Sequence, residues 1–157
     1  MMKNRRLAAV LLAVLAVFTF VPMASAQSTA TLSNIRTGRN LNFDRVVLDM
    51  SGLPSEYWMS EVTQVAQCAS GAPISVPGNE ILHVALIGAA AHDDNGNSTY
   101  PGPANFPTPD LANVRGVALT CDFEGTLDIA VGYGDTSAWH RVFTLTNPNR
   151  VVIDIGR

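Results

Sequence analysis

The stretch Ala91-His92-Asp93-Asp94-Asn95-Gly96-Asn97-Ser98-Thr99-Tyr100 is the densest run of groups able to do chemistry in this chain. Asp93, Asp94, Asn95 and Asn97 offer hard oxygen ligands of the kind calcium accepts. The EF-hand spacing fails, however. With Gly96 as the sixth position, Ala91 stands first and Gly102, not Glu, stands twelfth. The pattern fits an Asx-rich turn whose side chains bond their own backbone, so neither a metal nor another cofactor is expected. His92 beside Asp93 resembles an oriented base, but no nucleophile accompanies it, and Gly-x-Ser-x-Gly is absent. His83 lies between Leu82 and Val84 and reads as packed, while His140 beside Trp139 reads as exposed. Nothing in the spacing of the histidines requests zinc. Asp122, Glu124 and Asp128 cluster near one hairpin. Carboxylates facing each other across a cleft would suit glycoside cleavage, but these read as a solvated face that blunts a sheet edge.

Binding needs different parts. Aromatic faces suit sugar rings, and the planar fork of arginine suits carboxylates. Tyr100, Trp139, Tyr133 and Trp58 are the aromatic candidates, with Arg141, Arg45 and Arg150 as polar partners. Core packing or cross-strand pairing is the default role of each aromatic.

These residues need elements to position them. Residues 43–51 alternate, with Val46, Leu48 and Met50 on one side and Arg45, Val47 and Asp49 on the other, as in a half-buried strand. The pattern Arg-Val-Val-(Leu/Ile)-Asp-(Met/Ile) then returns at residues 150–155. Two copies about a hundred residues apart make no tandem array. They read as two equivalent strands of one all-β domain, aliphatics inward and Arg and Asp outward, related by pseudo-symmetry without contact. Direct antiparallel pairing is the alternative, and it would set Arg45 opposite Asp154 and Asp49 opposite Arg150 as two cross-strand ion pairs.

Residues 56–66 favour a strand, with a helix possible. Residues 81–87 are almost continuously apolar and predict a strand buried on both sides. Residues 88–110 form one long loop rich in Asp, Asn, Gly and Pro, and loops of that length usually have a function. Residues 116–123 and 126–133 predict a hairpin around Glu124-Gly125. A second, 139–145 with 150–155, closes through Asn147-Pro148-Asn149 as a type I turn. No helix of ten or more residues is expected after the leader. The fold class is all-β, a sandwich or barrel.

The leader itself is residues 1–26. Lys3, Arg5 and Arg6 precede an apolar run over 7–20 broken only by Thr19, and Ala24-Ser25-Ala26 offers a cleavage site. The run is shorter than the roughly 20 residues a membrane-spanning helix requires, so a cleavable signal peptide is expected and no stable membrane anchor after cleavage. Cleavage leaves 131 residues with seven Arg, no Lys and 13 Asp plus Glu, a net charge of −6. An acidic chain without a basic run is a poor partner for nucleic acid. Cys68 and Cys121 are the only cysteines. In an oxidising compartment they read as one disulfide, with two separate buried thiols as the alternative.

The residues from Arg141 through Thr146-Asn147-Pro148-Asn149-Arg150 to Ile155 resemble the closing strand pair of AMIN domains. Thr37-Gly38-Arg39, Phe43-Asp44-Arg45-Val46-Val47, Ala90-Ala91-His92-Asp93, Ser98-Thr99-Tyr100-Pro101-Gly102-Pro103 and Asp122-Phe123-Glu124-Gly125 resemble, in order, the AMIN-like domain of exported actinobacterial proteins. The likeness runs from about Ile35 to Ile155. It implies a β-sandwich-like AMIN-like domain over 35–157, preceded by a lead-in over 27–34, secreted or associated with the cell wall. It also implies a non-enzymatic part in binding peptidoglycan or a related wall glycan. Arg45, Arg150, Arg141, Trp139, Tyr100, His92 and Asp93 are the ligand-binding candidates. Two alternatives stand beside that reading: a module docking an envelope protein partner, and a hydrolase or metal-binding protein centred on His92.

Overall fold

The computed structural model describes residues 29–157, and the expected signal peptide over 1–26 lies outside them. The described chain is built of strands, in order β1 (Ala30–Arg39), β2 (Phe43–Met50), β3 (Glu56–Val62), β4 (Val65–Ala66), β5 (Pro73–Ile74) and β6 (Glu80–Ile87). There follow β7 (Ala89–Ala90), β8 (Asn105–Pro107), β9 (Val114–Phe123), β10 (Thr126–Tyr133), β11 (His140–Leu145) and β12 (Arg150–Gly156). No helix occurs among the described residues. One five-stranded sheet has the order β11-β12-β2-β1-β7 and the other β3-β6-β10-β9-β8, with β4 and β5 forming a small third ribbon. All pairs are antiparallel except β1 with β7.

Period-two alternation closes the sandwich. Leu32, Val46, Leu48, Ile153 and Ile155 from the first sheet share one core with Leu82, Val84, Leu86, Ile129 and Val131 from the second. Each is fully or almost fully buried, and such burial contributes about 1.5–3 kcal/mol per side chain. A second, smaller cluster of Val76, Ile81, Ala118 and Ala130 lies on the outer face of the β3–β8 sheet. The segment 63–79 covers it, with Val65 and Ile74 packed against it. The Cys68–Cys121 disulfide ties that segment to β9, with the Cα atoms 5.1 Å apart.

Strand β1 begins at Ala30, so the fold takes in residues of the expected lead-in. Its polar outer face, exposed at Asn34 and Arg36, leaves it with little apolar alternation. Residues 88–110 contain β7 and β8 but are otherwise loop, as expected. β6 is buried on both faces only near Ile81, since His83, Ala85 and Ile87 on its outer side keep partial exposure.

Both predicted hairpins are present. Between β9 and β10, Glu124 at φ 49° and Gly125 at φ 74° form the doubly left-handed two-residue turn that matches strand twist. In the turn between β11 and β12 the Asn147–Pro148 peptide bond is cis and Asn147 sits at φ 57°, in the left-handed region that Asn tolerates because its short side chain can bond locally.

The repeated stretches correct a second expectation: they are not held apart. β2 and β12 are adjacent and antiparallel, with Arg45 opposite Asp154 and Asp49 opposite Arg150. Two aliphatic faces with the same parity reach one core most directly as neighbours in one sheet.

Candidate functional site: an arginine–aromatic face

Three strands set the outer face of the first sheet. Asp154 on β12 has Arg45 of β2 on one side and Arg141 of β11 on the other, so one row across the sheet reads Arg141, Asp154, Arg45. Arg45 grips the carboxylate with a fork, Nε to Oδ1 at 2.6 Å and Nη2 to Oδ2 at 2.9 Å. Arg141 donates from Nε to Oδ2 of the same carboxylate at 2.9 Å and brings Nη2 within 2.8 Å of that oxygen.

This corrects the expectation that Arg and Asp both look toward solvent. The Asp154 side chain is 0 % exposed, because the two longer arginines fold over it. Burial works against its charge, but the hydrogen bonds from Arg45 and Arg141 outweigh that and hold its pKa below the usual carboxylate value. The hydrogen bond to Asp154 in turn raises the pKa of Arg45. Two guanidinium groups share one carboxylate, so the row keeps a unit of positive charge on an acidic protein.

Aromatic rows flank the charged one. Gly156 follows Asp154 by two residues and pairs with Phe43 across the sheet. Its lack of a side chain lets the Phe43 and Trp139 rings meet above it, centroids 6.0 Å apart and tilted by 53°. A Cβ at Gly156 would collide with the indole. On the other flank lies Phe143. The Arg45 guanidinium lies 5.1 Å from the Phe43 centroid and 5.7 Å from that of Phe143. That of Arg141 lies 5.8 Å from Trp139 and 5.0 Å from Phe143. All four distances fall within cation–π range. Trp139 remains 47 % exposed and the Arg141 side chain 56 %, so both can still meet a ligand.

The other candidates lie elsewhere. Arg150 is in register with Asp49, but no ion pair joins them. Asp49 is held by Arg36 of β1 through two 2.7 Å hydrogen bonds, and Arg150 Nε donates to the Pro148 carbonyl at 3.2 Å. The doubled pattern has thus lost its symmetry to a third strand. Tyr100 is only 8 % exposed, belongs to the core and donates its hydroxyl to the Pro103 carbonyl at 3.2 Å. Tyr133 is a core residue whose hydroxyl donates to Glu61 at 2.6 Å, and burial is the main cause of its raised pKa. Trp58 is exposed on β3, the edge of the other sheet.

The segment around His92 is an ordered turn. Asp93 Oδ1 accepts from the Asn95 and Asn97 backbone N–H groups at 2.9 and 2.8 Å, the Asx geometry expected. His92 pairs with Asp122 rather than Asp93, Nδ1 to Oδ2 at 2.8 Å, and Asp122 Oδ1 also accepts from Ala91 N. Asp122 therefore fastens the long loop to β9, and Asp128 lies 3.3 Å from His83. Neither is the merely solvated carboxylate expected. Among the described residues no three of His, Cys, Asp and Glu converge as a metal site.

Phe43 and Phe143 escaped the reading of the sequence. Their parity with Arg45 and Arg141 along alternating strands was the available signal.

The fold defines a β-sandwich module whose first sheet carries an ordered outer face of arginines and aromatics. The chain belongs to the AMIN-like domain family, whose model matches residues 30–157. No curated protein and no solved structure matches the chain significantly.

Proposed function

We propose that this is an exported, non-enzymatic cell-wall module that binds peptidoglycan or a related wall glycan through the face of Trp139, Phe43, Arg141 and Arg45. Membership of the AMIN-like family supports a wall-associated, non-catalytic role. The leader-like residues 1–26 support export, and no helix among the described residues is long and apolar enough to cross a membrane. The observation that carries the reading is the pairing of Trp139 with Phe43 beside the Arg141–Asp154–Arg45 row. It offers an aromatic plane for a sugar ring and, alongside, donors for hydroxyls and carboxylates.

Retention on purified, protein-free sacculi tests it. Wild-type protein should sediment with sacculi, and Trp139→Ala or Arg141→Ala should lower retention about tenfold. Wild-type retention no greater than that of an unrelated acidic protein sinks the reading.

A second reading, docking of an envelope protein, is favoured by one observation. β3 is an edge strand exposing Tyr57, Trp58 and Met59, the kind of edge to which an extended partner strand adds. A discrete cross-linked adduct in cells, absent from the sacculus fraction, supports it.

A further inference from the structure

A second Arg-bearing feature lies at the end of the sandwich. A cleft of about 820 Å³ opens there between the loops, lined by prolines 77, 107 and 109 and by Asn113, Arg115 and Arg157. We infer that this cleft is a carboxylate-binding subsite, continuous with the Trp139 face, that takes the free carboxyl group of a short peptide attached to the wall glycan. The inference rests on the wall-binding reading above and names the part of the polymer read at this position.

The charges in the cleft are sorted by their partners. Asp44 is fully buried and receives the Asn113 and Val114 backbone N–H groups at 2.5 and 3.1 Å, with Arg157 Nη2 at 3.2 Å. Arg157 also donates to the Leu41 carbonyl at 3.0 Å and to that of Asn40. Asp135 Oδ1 accepts from the Ser137 N–H and hydroxyl. Arg115 differs. Among the described residues it has no carboxylate within ion-pair distance, although acidic groups outnumber arginines in the exported chain.

Its guanidinium is nonetheless positioned. It lies over Gly134, where an added Cβ would stand 3.2 Å from Nε and 3.4 Å from Nη2. The floor beneath is rigid: Asn113 Oδ1 accepts from the Gly134 and Asp135 N–H groups at 3.0 and 2.8 Å, and Asn113 Nδ2 donates to the Gly156 carbonyl at 2.7 Å. An unpaired planar donor on a fixed floor, edged by prolines, suits a carboxylate at the end of a small peptide.

The two sites share a wall. Gly156 carries Trp139 on one side, with its N–H donating to the Trp139 carbonyl at 2.7 Å, while its own carbonyl is held by Asn113 on the other. Arg157, the next residue, lines the cleft. A peptide appended to a glycan on the Trp139 face would thus start beside Gly156 and Arg157, at the edge of the cleft that Arg115 also lines.

Calorimetry with a soluble disaccharide-peptide fragment, free-acid or amidated at its carboxyl groups, tests the inference. Wild-type protein should bind the acid about tenfold more tightly than the amide, the scale of a charge-assisted hydrogen bond. Arg115→Gln should abolish that preference with the melting temperature unchanged, and Arg115→Lys should restore part of it. Trp139→Ala should weaken both forms equally. Equal affinity of the wild type for acid and amide overturns the subsite, as does a preference that survives Arg115→Gln. Sacculus retention of the wild type, measured in parallel, separates the two failures. Retention without acid preference removes only the cleft, and no retention removes the wall reading with it.

Discussion

Arg45 and Asp154, 109 residues apart in sequence, are joined by two parallel hydrogen bonds of 2.6 and 2.9 Å across adjacent strands. Arg141 closes on the same carboxylate from the opposite side. This contact links the structural and functional readings, because it orders both guanidiniums that border the aromatic plane.

Removing the shared carboxylate should therefore be costly. Asp154→Ala should destabilise by about 2–3 kcal/mol, towards the low end for a broken buried pair because both arginines can turn to water. Urea unfolding measures it, and a loss below about 0.5 kcal/mol contradicts the account. Arg141→Ala, at an exposed partner, should cost no more than about 1 kcal/mol.

Acid should act through the same group. The folded-state pKa values of Asp154 and Asp49 lie below the ordinary carboxylate value, so the unfolded chain takes up protons first. Their contribution is complete above about pH 5, roughly one unit over the unfolded-state value, and is lost as pH falls through that value and then the lower folded-state values. Unfolding free energy should thus decline steadily as the solution is acidified below about pH 5. Asp154→Asn should show a shallower decline, and an equally steep one would assign the acid sensitivity elsewhere.

Gly156 should tolerate no side chain. Gly156→Val would displace the indole that rests on it, separating Trp139 from Phe43. In a Trp58→Phe background, which leaves one tryptophan, emission should shift to the red and sacculus retention should fall with it. Unchanged emission would show that the ring pair does not depend on the glycine.

The disulfide should stabilise rather than shape the binding face. Cys68 and Cys121 close a 53-residue separation, and their loss, by Cys68→Ser with Cys121→Ser, should cost about 2–4 kcal/mol. Sacculus retention at low temperature should be unaltered, since the bridge lies on the outer face of the other sheet. A large loss of retention in a folded double variant would tie the segment 63–79 to binding.

Local pattern went far in this protein. Alternation in residues 43–51 and 150–155, the Glu124-Gly125 turn and the Asx run after His92 are decided by neighbours a few residues away, and each is present. A strand whose exposed side is polar carries too little apolar contrast to announce itself, which is why β1 was not foreseen. Register between the two copies was calculable as a possibility, because antiparallel pairing of identical patterns necessarily opposes Arg to Asp. Whether they touch was not, since that depends on how every other strand competes for a place in the sheet.

The same limit governs the site. The sequence by itself determined which residues are arginine and aromatic, and their parity along each strand, because backbone pleating alternates side chains whatever the fold. Only the tertiary structure decided that Arg141 and Arg45 converge on one carboxylate and that Arg36 takes Asp49 from Arg150. It also left Arg115 over an open cleft with no carboxylate of the described residues within ion-pair distance. A charged group's partner is set by distances of a few ångströms between strands remote in the chain, and no local pattern encodes those distances.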